Sequence, residues 1–572
     1  MECPEVNSNG SLPEAEAIFN AAVALHRAGR LPEAEQLYRR CLLLCPGHAG
    51  SLHLLGVVHY QRGAYADALR HIDLALAVAP RLAAAHNHRG AALQALHRAD
   101  EALASYDHAI ACDANYADAY YNRGNLLKER GRLEDALVDY DRATTLNPHH
   151  VDTLNNRGTT LRALGRLEDA LASYDRAIEL DPNGAGACYN RANVLADLNR
   201  FDEALASAER AIAINPQLAQ AFNIRGNILL ELKRLDEALA SYDHAIAIRH
   251  DDAEAVWNRG LCRLLVGRCG DGWVDYEWRW KTDRMASERR NFKQSQWDGR
   301  ADVDGKTVLL HAEQGFGDAL MAVRYVRGVL ARGARVILEV PAPLHALLAE
   351  INGIAQIVVT GHPLPDFDLH CPLMSLPLAF GTTLATIPAE VPYLSVPRLH
   401  AEKWRQRLPK SGKPRIGINW AGRPAFKRDA TRSIGLARML PLFARSNVHF
   451  FALQKELRDG DAEILQRHPQ ITPLGAEIET FADAAAIVCN LDLVISSDTS
   501  VVHLAGALGR PVWILLQYVP DWRWLLDRDD SPWYLTARLF RQPARDDWSG
   551  VVAKVEAELG RLAGGRDSAA RR

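Results

Sequence analysis

Small and apolar residues recur with helical spacing from about residue 13 to about 283, and from about residue 300 short apolar runs alternate with amphipathic stretches. The first region repeats on itself with a step of 34: Gly56, Gly90, Gly124, Gly158, Gly226 and Gly260 form one ladder, with Ala22 and Ala192 on its remaining rungs. Ala34, Ala68, Ala102, Ala136, Ala170, Ala204 and Ala238 form a second, and Tyr38, Tyr106, Tyr140, Tyr174, Tyr242 and Tyr276 a third. Pro46, Pro80, Pro148, Pro182 and Pro216 close the units. Small residues let paired helices approach, tyrosine fills the space between them, and proline stops the second helix. The pattern predicts an α-solenoid of about eight units over 13–283, with a concave binding face.

The second region predicts parallel strands covered by helices. Strand candidates are 307–312, 335–340, 356–360, 414–420, 449–453, 492–496 and 511–516. The expected organisation is a linker at 284–299, a Rossmann-like lobe at 300–396, an inter-lobe linker at 397–413, a second lobe at 414–563 and a disordered tail at 564–572. Two such lobes leave a cleft at the C-terminal ends of their strands. Before them, Gly270 to Trp280 carries Trp273, Tyr276, Trp278 and Trp280, an expected hydrophobic clamp docking the array onto the next domain.

Chemistry-bearing residues gather at the strand ends. Glu313-Gln314-Gly315-Phe316-Gly317-Asp318 reads as strand, glycine turn and helix start. Gly315 and Gly317 are expected to turn the backbone tightly near a ligand, and Asp318, at or beside the helix N-cap, to face the crevice. After 414–420 comes a loop with Lys427 and Arg428, after 449–453 come Gln454 and Lys455, and after 492–496 come Asp498, Thr499, Ser500 and His503. A helix N-terminus with cations nearby makes a diphosphate site. Each has a plainer reading: a solvated loop for the cations, a helix cap for Asp498 and Thr499, a packed core residue for His503.

The repeats carry two further ladders. Arg89, Arg123, Arg157, Arg191, Arg225 and Arg259 are followed in turn by Asp107, Asp141, Asp175, Glu209, Asp243 and Glu277 at one constant spacing, which predicts ion pairs inside each repeat. Asn122, Asn156, Asn190 and Asn258, with Asn125, Asn193 and Asn227 on the same helices, can hold an extended peptide by its backbone, because an amide both donates and accepts. Local hydrogen bonds within the array are the alternative.

Composition narrows the classes. Sixty-seven basic and 70 acidic residues give a net charge of -3, with no general attraction to nucleic acid or anionic membrane. Nine scattered cysteines without a CxxC point to a reducing compartment and away from structural zinc. No basic and apolar leader opens the chain and no apolar run reaches the length of a membrane span, so a cytoplasmic location is expected.

The repeat pattern, clearest from Tyr121-Asn122-Arg123-Gly124-Asn125 to Pro148, resembles tetratricopeptide repeats, and the asparagine ladder resembles that of protein O-GlcNAc transferases. Glu313 to Asp318, and Asp498 to Trp513, resemble the two glycine-rich motifs of glycosyltransferase family 9, typified by ADP-heptose heptosyltransferases. That resemblance implies a GT-B fold and a metal-independent transferase using a nucleotide-diphosphate sugar, without a further cofactor. It implies that Asp318 is the base, and that Asp498, Thr499, Ser500 and His503 lie in the donor segment. Ser500 stands where the family has glycine, and the first lobe is short for the fold. The acceptor is expected to be a protein or peptide recruited by the repeats; a cell-surface glycan acceptor and a non-catalytic scaffold are the alternatives.

Overall fold

The computed structural model describes residues 11–409, 412–424 and 429–569, so Lys427 and Arg428 lie outside the described residues. The chain forms two compact units, Met1–Ile224 and Arg225–Arg572.

The first unit consists of paired antiparallel helices, beginning with Ser11–Arg27 and Leu31–Leu44. Gly56, Gly90, Gly124 and Gly158 each lie under a bulky residue of the partner helix, Ile72, Tyr106, Tyr140 and Tyr174 in turn. A Cβ on Gly90 would stand 2.5 Å from Tyr106, and on Gly158 2.8 Å from Tyr174, so at these two positions a side chain would force the tyrosine to shift. The turn between paired helices is left-handed at Gly29, Gly63, His97, Gly131, Gly165 and Asn199, a further ladder of the same step. Its occupants are glycine or residues with polar side chains, as a positive φ favours.

The arginine ladder is wired differently from expectation. Arg123 binds Asp107 of the preceding repeat at 2.5 Å and Asp139 of its own repeat at 2.6 Å. Arg157 and Arg191 likewise reach back to Asp141 and Asp175, both at 2.6 Å. Asp107, Asp141 and Asp175, which follow Arg89, Arg123 and Arg157 on the ladder, therefore serve the arginine of the next repeat, and these pairs join neighbouring repeats rather than closing each one. Longitudinal stacking is what lets a solenoid propagate.

The second unit contains the last repeat helices together with the α/β region, so the compact-unit boundary falls in the helix Ala219–Glu231 rather than at 283. The reason is docking. Arg545 donates to Glu231 Oε2 at 3.0 Å, Lys233 Nζ lies 3.7 Å from the centre of the Tyr518 ring, and Trp273 is buried edge-on against Trp522 at 5.1 Å. The expected aromatic clamp at Trp273 and Tyr276 is thus present within this unit, and Trp522, Trp524 and Trp533 are all buried in it.

Its sheets are wholly parallel. β1 (Thr307–His311), β2 (Arg335–Val340), β3 (Gln356–Val359) and β4 (Leu369–Pro372) form a sheet of order 3-2-1-4. β5 (Arg415–Asn419), β6 (His449–Ala452), β7 (Ile471–Pro473), β8 (Leu493–Ser497), β9 (Val512–Leu516) and β10 (Ala537–Arg541) form the second, in the order β10-β9-β8-β5-β6-β7. Numbered within the lobe this is 3-2-1-4-5-6 from β7 to β10, the doubly wound order whose switch point lies between β5 and β8. β4, β7 and β10 have no counterpart among the strand candidates: β4 and β7 are very short and end in proline, and β10 carries arginine at Arg538 and Arg541.

Three linker and tail expectations are corrected. Residues 284–299 are pinned to the first sheet: Trp297 N–H donates to His370 O at 2.7 Å, Arg290 pairs with Glu339 at 2.9 Å, and Phe292 packs on His370. Within 397–413, Arg398–Arg407 is a helix anchored by Trp404 Nε1, which donates to Asp483 at 2.8 Å. The helix Trp548–Ala569 continues through 564–569, because adding a residue to an existing helix is cheap; residues 570–572 lie outside the described residues.

Candidate functional site

The turn after β1 is built otherwise than its glycines suggest. Gln314 takes the left-handed conformation at φ 64, while Gly315 is extended at φ -90. Tyr276 O–H donates to Gln314 Oε1 at 3.1 Å and so holds the strained residue from the last repeat. Gly315 lets the Asp318 carboxylate fold back: its N–H donates to Asp318 Oδ2 at 2.8 Å, and a Cβ there would stand 3.0 Å from that oxygen. Asp318 is thereby the third residue of the helix Phe316–Ala322. Its other oxygen, Oδ1, accepts from Arg523. Gly317 faces His503, and a Cβ would stand 2.7 Å from His503 Cδ2. The second glycine therefore serves helix packing between the two motifs.

Arg523, in the loop after β9, joins the lobes. It is 6% exposed, pairs with Asp318 and with Asp521 at 2.8 Å, and stacks on Trp522 at 4.2 Å. Burial works against its charge, and Asp521 and Asp318 more than offset this, so its proton is held more firmly than usual. Phe316 bridges the lobes as well, edge-on to Phe481 at 5.2 Å and 4.9 Å from the Arg423 guanidinium.

In the second lobe, Asn419 ends β5 at the switch point and donates to Thr499 Oγ1 at 3.1 Å and Ser496 Oγ at 3.4 Å. Thr499 is the N-cap of the helix Ser500–Ala507 yet makes no side-chain cap hydrogen bond. The neighbouring helix Phe481–Cys489 is closed by a reciprocal Thr480 and Asp483 capping box. Val502 N–H turns back to Thr499 O at 3.1 Å, and ahead of it the N-terminus of the Ser500 helix has no side-chain cap, with the positive end of the helix dipole behind it. Burial and the neighbouring Asp521 push the half-buried Asp498 carboxyl up to about 6, well above the usual carboxylate range.

The other candidates divide. His503 is buried, 2.9 Å from Tyr534 O–H and stacked on Trp524 at 5.5 Å, and burial lowers its basicity well below the usual range. Its contacts are those of a packed core residue. Gln454 Oε1 accepts from the backbone N–H of Trp420 and Ala421 at 3.2 and 3.0 Å, so it shapes the loop after β5. Lys455 is exposed and donates to Glu479 O at 3.3 Å. In the first unit Asn122 donates to Asn87, and Asn156 to Asn125, both at 2.9 Å. Asn190 donates to Asn155 at 3.3 Å and Asn193 to Tyr189 O at 2.9 Å. In the second unit Asn227 accepts from Tyr242 O–H at 2.8 Å, and Asn258 is half-buried. Asn122, Asn156 and Asn190 thus bond to asparagines of the preceding repeat, while Asn193 bonds within its own helix.

Sequence reading missed Arg523, Asn419 and Arg279. Arg523 stands between two tryptophans in Trp522-Arg523-Trp524, a cation in an apolar run and hence a signal of a buried partner. Among the described residues no group of His, Cys, Asp and Glu forms a metal site, and no helix is long and apolar enough to cross a membrane.

Comparisons with known proteins identify the repeats. Family models described as tetratricopeptide repeat match residues 10–40, 48–82, 117–150 and 189–253, and a further model described as TPR repeat matches 158–199. Protein FlbA of Caulobacter vibrioides is 23% identical over 326 residues, covering 53% of this chain and 54% of FlbA. The chain thus spans about half the length of the curated relative it matches. Among solved structures, YrrB, described as a TPR protein with an unusual peptide-binding site, is 27% identical with a TM-score of 0.30, covering 32% of this chain and 95% of YrrB. Pseudomonas aeruginosa pilF is 20% identical with a TM-score of 0.34, covering 36% of this chain and 94% of pilF. The N-terminal region carries tetratricopeptide repeats, and such repeats suggest protein partners.

Proposed function

We propose that the protein is a metal-independent glycosyltransferase of GT-B type. It moves a sugar from a nucleotide-diphosphate donor to a hydroxyl of a protein or peptide recruited by the repeats. One observation carries the reading: the Ser500 helix, without a side-chain cap at its N-terminus, begins at the switch point of a 3-2-1-4-5-6 sheet, and the Asp318 turn packs against it from the other lobe. Open α/β sheets bind phosphorylated ligands at such a point. In this mechanism Asp318 takes the proton of the acceptor hydroxyl, whose oxygen bonds to the sugar's anomeric carbon as the bond to the diphosphate oxygen breaks. The helix N-terminus and Arg523, with Lys455 as a further cation, stabilise the departing diphosphate.

A second reading, a scaffold with a silent α/β domain, is favoured by the engagement of both Asp318 oxygens, one by Gly315 N–H and one by Arg523. Thermal-shift measurement with ADP, UDP and GDP sugars separates the two. The transferase reading predicts a concentration-dependent rise in melting temperature with one nucleotide class, and lack of any shift across the panel would support the scaffold.

A further inference from the structure

By the same switch-point rule, the first lobe has a crevice beyond β1 and β4, where sheet order 3-2-1-4 reverses. That crevice is filled by the end of the last repeat. Arg279 has no exposed side-chain surface and donates from Nη2 to Ser375 Oγ at 2.7 Å and to Glu313 Oε1 at 3.2 Å, and from Nη1 to Glu277 Oε1 at 2.5 Å. Its guanidinium lies 4.7 Å from the ring centres of both Tyr276 and Trp280. Glu313 Oε1 also accepts from Met374 N–H at 3.0 Å, so one carboxylate ties the loops after β1 and β4 to the repeat. Just upstream of Arg279, Tyr276 holds Gln314, the left-handed residue of the turn that carries Asp318.

We propose that Arg279 is a positioning residue: with Tyr276 it fixes the conformation of the Glu313–Asp318 turn from the last tetratricopeptide repeat, and so couples the array to the site. Adhesion alone does not require this ion pair, because Trp273 already docks the repeat against Trp522 and Trp533. Nor is it arranged for stability. Arg279 Nε and Glu313 Oε2 are both buried without a hydrogen-bond partner, and burying such a pair gains little over apolar packing. What the pair supplies is a fixed geometry, and the geometry it fixes is that of the Asp318 turn. The consequence for turnover rests on the transferase reading; the ordering of the turn does not.

The test compares full-length wild type, Arg279→Met, Arg279→Lys and the double variant Arg279→Met with Glu313→Gln, which removes the uncompensated buried carboxylate if the single variant folds poorly. Amide exchange in residues 313–318 is the readout, with β5, β8 and β9 as internal reference. Expected is at least a tenfold rise in exchange of the turn in Arg279→Met, partial protection in Arg279→Lys, and a turn that stays unprotected in the double variant even where its melting temperature is restored. Unchanged exchange of the turn in a folded Arg279→Met protein, or full restoration by the double variant, would overturn the assignment. Exchange needs no donor, so an inactive wild type would count against the transferase reading alone.

Discussion

Gly317→Ala tests the close approach of the two glycine-rich motifs. The added methyl would stand 2.7 Å from His503 Cδ2 and 3.3 Å from Nε2. Carbon contacts prefer about 3.5–4.0 Å, so a displacement of about 1 Å is required. His503 has little room to give, being hydrogen-bonded to Tyr534 and stacked on Trp524. Overpacking of this kind costs about 1–3 kcal/mol, while replacing a helical glycine by alanine returns about 0.5–1 kcal/mol. The net expectation is a loss of about 1–2 kcal/mol. All 12 tryptophans lie at or beyond Trp257, so urea unfolding followed by tryptophan fluorescence reads the second unit alone. The decisive measurement is the cycle with His503→Ala. Removing the ring should abolish the alanine penalty, giving a coupling of at least about 1 kcal/mol. Additive effects, within about 0.5 kcal/mol, would refute the contact.

Other outcomes follow from the same geometry. Burial pushes the Glu313 carboxyl up to about 7, against the pull of Arg279 and the Met374 N–H. Between about pH 4.5 and 7 the native state therefore holds a proton that the unfolded chain has already released, and the pair with Arg279 is fully charged only above that range. The contribution is complete below about pH 4.5 and is lost as pH rises through about 7. Glu313→Gln should accordingly gain on wild type between pH 5 and 8 in urea midpoints, and parallel curves would contradict this. Arg123→Met leaves the 2%-exposed Asp139 without its cation, at a cost of about 3–5 kcal/mol in melting followed by circular dichroism. Arg157→Met loses only Ser173 and the half-exposed Asp141, about 1 kcal/mol, so equal losses would refute the wiring. Trp273→Ala empties a buried site and orphans the Thr382 carbonyl that its Nε1 meets at 2.9 Å; about 3–5 kcal/mol should be lost from the fluorescence-detected transition.

Repetition made the solenoid legible, since many copies of one pattern average out local irregularity. The seven more apolar strands were legible from their apolar runs, whereas β4 is broken by His370 and Pro372, β7 has three residues and β10 is too charged to stand out. Pairing was harder. The constant spacing from Arg123 to Asp141 and from Arg157 to Asp175 is visible in the sequence, but whether an arginine takes the acid before it or after it depends on how repeats stack. The candidate site shows the same limit. Its two motifs were evident, yet the left-handed residue proved to be Gln314, not a glycine, because Tyr276 from a distant repeat stabilises it. The second glycine answers to His503, in the other lobe and far along the chain, and Asp318 answers to Arg523. Such partners are set by tertiary packing, which spacing along the chain does not record.

The proposed transfer stands on Asp318 as its base. Turnover of nucleotide-diphosphate sugars by full-length wild type and Asp318→Asn, on a pool of cell-extract acceptors, tests it most directly. Wild type should transfer label to protein, and Asp318→Asn should lose about 10²-fold or more while donor-induced stabilisation is retained. Equal rates for the two proteins would contradict it.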